Sequence, residues 1–301
     1  MSEQSPDQSP DQSPEQPRDE RGKRPAGPVR KTVVIAGGTD GMGRAVALAR
    51  LARGDAVTVV GSSAAKGEAL LADAGHAPGL RFLRADLSST AEVERVAARI
   101  AEHHRSVDAL ALFANRHSPR RRETPEGLEY TFSLYYLSRY LLGRRLRPLL
   151  DAAPRPVIVN VAGVGNTAGR VHWDDPQLTR RYGQVRAQLQ AGRANDLLGV
   201  AFAESAAGRA RYVLYHPGFT RSGLDSVSNP AVRGAIRVLG RFFARPVEEA
   251  VRPVLAWIDE PPTAALTAND RGRPVPPDLP TLDPAAARRL AVYTEGLLDR
   301  G

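Results

Sequence analysis

The chain has 301 residues, 42% of them hydrophobic and 25% charged, no cysteine, and a formal charge of +9 at neutral pH. That length suits one large α/β domain, and the missing cysteine excludes a disulfide, a thiolate nucleophile and a cysteine-ligated metal centre. Lys23, Lys31 and Lys66 stand against 39 arginines, so nothing beyond residue 66 can form a Schiff base or offer an ammonium group.

No run of 18 apolar residues occurs, so no membrane span is expected. No basic segment followed by an apolar one opens the sequence, which points to a soluble, cytoplasmic protein. The basic residues are spread along the chain, densest at 120–122 and 144–147, without the interleaved aromatics of a base-stacking surface. A nucleic-acid partner is therefore not expected.

Residues 1–30 carry three SPDQ-like repeats and no apolar side chain between Met1 and Ala26, a composition that predicts a disordered tail. From Thr32 onward, short apolar runs alternate with helical patterns. Strands are predicted at 32–37, 56–60, 80–85, 108–114, 156–162, 211–218 and 264–268. Helices are predicted at 41–51, 65–73, 90–102, 131–150, about 185–206, 246–258 and 284–298, the fourth stopping near Pro148. Such alternation predicts a doubly wound α/β domain over 31–301, its mainly parallel sheet of about seven strands covered by helices on both faces.

GGTDGMG (37–43) lies between the first strand and the first helix. Gly37 permits a tight turn there. Gly41 and Gly43 bring the helix close to the strand and expose its first N–H groups, which with the helix dipole make a diphosphate site. Thr39, Asp40, Met42 and Arg44 belong to the same turn.

The spacing GxxxGxG resembles the short-chain dehydrogenase/reductase family, which implies a Rossmann-like fold. The similarity continues through Ala85-Asp86-Leu87, where the family places an aspartate near the adenine, and through Ala114-Asn115 at the end of strand four. Pro217 and Gly218 match the family's PG segment, with Ser222 at its threonine position. The layout is most similar to the retinol-dehydrogenase-like and protochlorophyllide-reductase-like branch. The resemblance implies a nicotinamide cofactor. Gly61, Ser62 and Ser63 stand where an acid would hold the ribose of NAD, and Ser62, Ser63, Lys66 and Arg44 could surround a 2′-phosphate. NADP(H) is expected over NAD(H), and a pocket holding no cofactor stays open as an alternative.

In the family a tyrosine, a lysine, a serine and an asparagine form the catalytic tetrad. Aligned without a gap, YGQVRAQLQAGRAN (182–195) puts Tyr182 at an upstream tyrosine, Gln188 at the catalytic tyrosine and Gly192 at the lysine. VNVAG (159–163) puts Gly163 at the serine, and TFSLYYLSR (131–139) puts Tyr135 at the asparagine. All four positions are altered. The resemblance then implies an atypical enzyme of bacterial specialised metabolism acting on a bulky small molecule. A non-catalytic binding protein, or a cofactor-independent lyase, cyclase or isomerase, is the alternative. Tyr135, then Tyr182, are the candidate replacement phenols; Asn160, His117 and Gln188 are candidate hydrogen-bonding groups. His172, Trp173, Asp174 and Asp175 resemble the family's insert, and His103 and His104 are read as surface residues. No metal site is expected from six scattered histidines. Residues 219–244, with Phe242 and Phe243, correspond to a substrate lid. A homodimer would use Leu137, Leu141, Leu142, Leu197 and Phe202 if these do not face the sheet.

Overall fold

The computed structural model describes residues 30–205, 208–218 and 246–299. Strand β1 (Thr32–Ala36) leads through the glycine turn into α1 (Gly41–Ala52), then β2 (Ala56–Gly61), α2 (Ala64–Asp73), β3 (Leu80–Arg84) and α3 (Thr90–His103). After β4 (Ala109–Leu112), α4 (Tyr130–Phe132) runs through a π-helical turn (Ser133–Leu137) into α5 (Ser138–Arg145), followed by α6 (Arg147–Asp151). Then come β5 (Val157–Val161), the long α7 (Gln184–Glu204), β6 (Arg211–His216), α8 (Val247–Asp259), β7 (Leu266–Asp270), β8 (Arg273–Pro274) and α9 (Pro284–Leu298).

The sheet order is β3-β2-β1-β4-β5-β6-β7-β8, parallel except for the antiparallel pair β7–β8. This is the expected doubly wound sheet. The two-residue β8 adds an eighth strand that is too short to show a period in sequence. Alternate residues along each strand serve opposite faces. Val33, Ile35, Val57 and Val59 pack with Val46 of α1 and Val251 of α8. Val34, Ala36, Leu110 and Leu112 pack with Val93 of α3, Leu141 of α5 and Leu197 of α7. Each fully buried Val, Leu or Ile contributes about 1.5–3 kcal/mol, so both faces drive folding.

Local chemistry sets the helix ends. Ser89 caps α3 by accepting from Glu92 N at 3.3 Å, and Val93, Val96, Ala97 and Ile100 give that helix its buried stripe. The continuous helix expected over 131–150 is instead divided. It breaks at Leu146 and restarts with Pro148 in the first turn of α6, where a missing N–H costs nothing. Leu137, Leu141, Leu142 and Leu197 are buried inside the chain, and Tyr136 Oη and Thr294 Oγ1 join α9 to the π turn at 2.7 Å. Those leucines therefore face their own core rather than a second copy. His104 is half-buried, its Nε2 lying 2.8 Å from Thr58 Oγ1, a correction to its reading as a surface residue.

One buried cluster ties the chain's two halves. Arg50 is 2% exposed; its Nε donates to Asp55 Oδ2 at 2.6 Å, and its Nη1 pairs with Asp259 at the end of α8. Asp55 Oδ1 also accepts from Lys31 N at 2.8 Å. Replacing Arg50 with alanine strands the Asp55 carboxylate out of water, so Arg50→Ala is expected to cost about 3–5 kcal/mol in urea unfolding. A cost below about 1 kcal/mol would show that this cluster does not hold α8 to α1.

Candidate active site

The sheet order reverses between β1 and β4, and the crevice at the strands' carboxyl ends opens there. Gly37 has φ +80°, and a Cβ on it would lie 2.6 Å from Ala114 N at the end of β4. A Cβ at Gly43 would lie 2.2 Å from Gly37 O. The turn is thus so tight that only glycines fit, leaving the first N–H groups of α1 beside the crevice. Met42 is buried beneath it, and Thr39 packs on the end of β2, where a Cβ at Gly61 would meet Thr39 Cγ2 at 2.8 Å. That crowding keeps a side chain off Gly61, the position where an acid would hold the ribose of NAD.

Asp40 caps α1, its Oδ1 accepting from Gly41 N at 2.7 Å, and forms an ion pair with Lys66. The Lys66 ammonium holds the Asp40 carboxyl below the usual carboxylate range, outweighing the opposing effect of partial burial. Arg44 pairs with Asp73, Ser63 Oγ caps α2 by accepting from Lys66 N at 3.3 Å, and Ser62 is exposed. Asp86 Oδ1 accepts from Ser88 N and Oγ at 3.0 and 2.8 Å, while Leu87 is buried. The expected cofactor residues thus line one edge, with Lys66 and Arg44 both already engaged by carboxylates.

Across the crevice lie the four positions assigned to the tetrad. A Cβ added at Gly163 or Gly192 meets no atom within 4 Å, so both glycines border open space. Tyr135 packs with Ala162 and Ala191, the chain neighbours of those two glycines. Its hydroxyl makes no hydrogen bond among the described residues. Burial pushes the Tyr135 phenol up, Arg139 pulls it down, and Asp196 adds to the rise.

Beneath Tyr135 is a polar network of which the sequence singled out Asn160 alone. Arg139 is 2% exposed. Its Nη1 donates to Asn160 Oδ1 and to Val161 O at 2.9 Å, and its Nη2 donates to Ala114 O at 3.0 Å. The guanidinium carbon lies 4.6 Å from the centre of the Tyr135 ring. Asn160 Nδ2 donates to Asn195 Oδ1 at 3.0 Å and to Tyr212 Oη at 2.8 Å. Asn195 Nδ2 in turn donates to Tyr135 O at 2.7 Å. Asn160 is fully buried with both ends of its amide occupied, so it supports the floor and does not face a ligand.

The remaining candidates sit around the rim. Asn115 and Gln188 exchange amide hydrogen bonds of 3.1 and 3.3 Å, and Gln188 Nε2 also donates to Arg116 O at 3.2 Å. This pair spans from β4 to α7 across the crevice. Tyr182 Oη donates to Ser118 O at 2.8 Å, tying the insert after β5 to the loop after β4. His117 is exposed on that loop. Within the insert, Arg186 Nε donates to His172 Nε2 at 3.0 Å, Arg289 stacks on Trp173, and Asp175 caps the turn at Thr179 and Arg180 while Asp174 stays exposed. Pro217 is buried; Gly218 has φ +83°, with Arg271 where a Cβ would go. Ser222 and the expected lid 219–244, with Phe242 and Phe243, lie outside the described residues, as does the tail through residue 29. Among the described residues no cluster suits a metal ion, and no helix is long and apolar enough to cross a membrane.

One further group under the site titrates unusually. Asp196 Oδ2 accepts from Arg193 Nη1 at 2.9 Å, but Oδ1 is buried with no partner. Burial pushes this carboxyl up to about 7, against the pull of Arg193. An unfolded aspartate loses its proton near pH 3.8, so between about pH 4 and 7 the folded state holds the extra proton. Stability should therefore fall as pH rises through that window. Thermal unfolding of Asp196→Asn across the same range is expected to show a flatter slope; matching slopes would mean that Asp196 is ionised throughout.

These features have counterparts in known proteins. The short chain dehydrogenase family model matches residues 31–174. The proposed daunorubicin C-13 ketoreductase DnrU of Streptomyces sp. (strain C5) is 30% identical over 274 residues, covering 86% of this chain and 90% of that protein. Human retinol dehydrogenase 13 is 29% identical over 201 residues, covering 64% of this chain and 60% of its own length. Among solved structures, a short-chain dehydrogenase from Streptomyces avermitilis has a TM-score of 0.60 at 21% identity, covering 89% of this chain and 94% of its own. A protein described as a short chain dehydrogenase from Shigella flexneri, complexed with NADP, gives 0.62 at 16%, covering 82% and 99%. At these identities the two structures bear on the fold alone. The match to DnrU over nine-tenths of that protein, on this sheet order and glycine turn, shows that the chain belongs to the short-chain dehydrogenase family.

Proposed function

We propose that the chain is an NADP(H)-preferring oxidoreductase of bacterial specialised metabolism, acting on a bulky carbonyl compound or the matching alcohol through an altered tetrad. The observation that carries this reading is a tight glycine cradle facing a catalytic region emptied at Gly163 and Gly192. The cradle fits a dinucleotide: the Gly37–Gly43 turn and the α1 N-terminus would hold the diphosphate. Asp86 and Leu87 would lie by the adenine, with Ala114, Asn115, Pro217 and Gly218 along the nicotinamide half. When bound, the cofactor supplies or accepts hydride.

What the chain itself contributes follows from its residues. Ser62, Ser63, Lys66 and Arg44 surround the end of β2, where Gly61 leaves no carboxylate to repel a phosphate. Lys66 would exchange Asp40 for that phosphate, and the Asp40–Lys66 pair is exposed enough to break readily. Tyr135 packs beside the two open glycines, with a hydroxyl free among the described residues to meet a substrate oxygen. Tyr182 is the second choice, since its hydroxyl already donates to Ser118 O. Gln188 can orient a ligand by hydrogen bonding but cannot release a proton near neutral pH. The likeness to DnrU and to retinol dehydrogenase 13 supports a large, mostly apolar substrate and a place in the retinol-dehydrogenase-like branch.

One observation favours a second reading, that of a cofactor-free lyase, cyclase or isomerase, or of a binding protein. The Asn115–Gln188 pair spans the crevice from β4 to α7, and a ligand entering there must displace it. Titration with NADPH and NADH, followed by nicotinamide fluorescence, separates the two. Saturable binding is expected, tighter for NADPH, and Lys66→Ala should weaken NADPH by roughly three- to tenfold while leaving NADH unchanged. Absence of saturable binding by either nucleotide would leave the second reading standing.

A further inference from the structure

Arg139 is a cation without an anion. It is 2% exposed, and no carboxylate lies within ion-pair distance of it among the described residues. Asp196, which acts on the same tyrosine, is committed to Arg193 at 2.9 Å. Arg139 instead meets three oxygens: the Asn160 side chain and the carbonyls of Val161 and Ala114. Its Nε is buried with no hydrogen-bond partner. Pinning the ends of β4 and β5 together requires donors but not a charge, and a buried charge is unfavourable unless something uses it. The Tyr135 ring lies against that charge, 4.6 Å away and four residues earlier on the same helix; the charge also acts on the Tyr212 phenol, whose hydroxyl is already taken by Asn160.

We propose that Arg139 is the positioning cation of this site, holding the Tyr135 ring against Ala162 and Ala191 and stabilising its phenolate in place of the lysine absent from α7. This rests on the reading of Tyr135 as the proton donor. The π turn at Ser133–Leu137 widens the helix where Tyr135 projects, and α5 resumes with Arg139 as its second residue. The guanidinium is then held by strand-end carbonyls on one side and by the ring on the other. The step assigned to the pair is a proton transfer alone. The Tyr135 Oη–H bond breaks, the proton passes to the substrate oxygen, and the phenolate stays beside the guanidinium until solvent returns a proton. The charged groups acting on this phenol are Arg139 from α5, which favours the phenolate, and Asp196 from α7, which opposes it. Ala162 and Ala191, the other packing partners, are uncharged.

The experiment is a pH titration of the full chain labelled with 13Cζ-tyrosine and followed by NMR, with the Tyr135 resonance assigned by its loss in Tyr135→Phe. Arg139→Met removes the charge, and Arg139→Lys replaces the planar fork with an ammonium. The Tyr135 midpoint is expected to rise by about one unit in Arg139→Met and by less in Arg139→Lys. Should Arg139→Met fail to fold, Asn160→Asp keeps the arginine but sets a carboxylate against it, and the midpoint should rise in the same direction. An unchanged midpoint in Arg139→Met, or in Asn160→Asp where Arg139→Met does not fold, would overturn the proposal. So would a wild-type Tyr135 that stays protonated up to the alkaline unfolding transition. The titration requires no nucleotide, so a shifted midpoint in a chain that binds neither NADPH nor NADH would uphold the Arg139 assignment while removing the oxidoreductase reading.

Discussion

The guanidinium of Arg139 sits where the carboxyl ends of β4 and β5 part, and the architecture of the cleft floor follows from satisfying it in the absence of water. Three of its hydrogen bonds end on oxygens of Ala114, Asn160 and Val161, so both strands must finish in register with α5. Asn160 must then turn its amide nitrogen the other way, toward Asn195 and Tyr212. Asn195 passes the constraint to α7 and, through Tyr135 O, back to the π turn. Such a network narrows the arrangements open to the floor, because each further unpaired member would add a desolvation cost to that of Arg139 Nε. What the network leaves uncommitted lies above it: the Tyr135 hydroxyl, the two open glycines and the amide pair at the rim.

Much of this was legible in the sequence. Apolar runs such as TVVIA and VIVNV, separated by helical stretches, can bury both faces only in a parallel sheet, and the seven parallel strands fall at the expected places. The glycine turn was equally legible, because each glycine answers a steric demand: Ala114 N crowds Gly37, and Gly37 O crowds Gly43. The open space at Gly163 and Gly192 also follows from the alignment, once the absence of lysine beyond residue 66 is taken seriously.

The rest depended on distance in the chain. Asn115 and Gln188 are 73 residues apart, and Arg139 reaches Asn160 across 21. Neither contact leaves a local period. The signal that could have exposed Arg139 was its setting: a lone charge within LYYLSRYLL, four residues after Tyr135, must either snorkel to water or find partners inside. The division of the predicted 131–150 helix had a fainter sign. Pro148 is compatible with a first turn as well as with a stop, and the chain uses it in the first of these ways.

In the proposed site the charge comes from a different residue. On the proposed alignment Gly192 stands where the family places lysine, and Arg139, on the helix that carries Tyr135, would supply the cation. The choice of arginine is physically constrained. A lysine ammonium is a compact, strongly hydrated charge that tends to lose its proton when buried, whereas a guanidinium spreads its charge, keeps it despite burial and offers several donors in one plane. Burial does lower the basicity of Arg139, yet an arginine has ample margin to remain charged. The planar fork also lets one side chain bond three oxygens at its edge while presenting its face to an aromatic ring, which an ammonium could not do with the same geometry. A chain with 39 arginines and three lysines has thereby placed a buried cation, without a carboxylate partner among the described residues, on the residue type that can stay charged there.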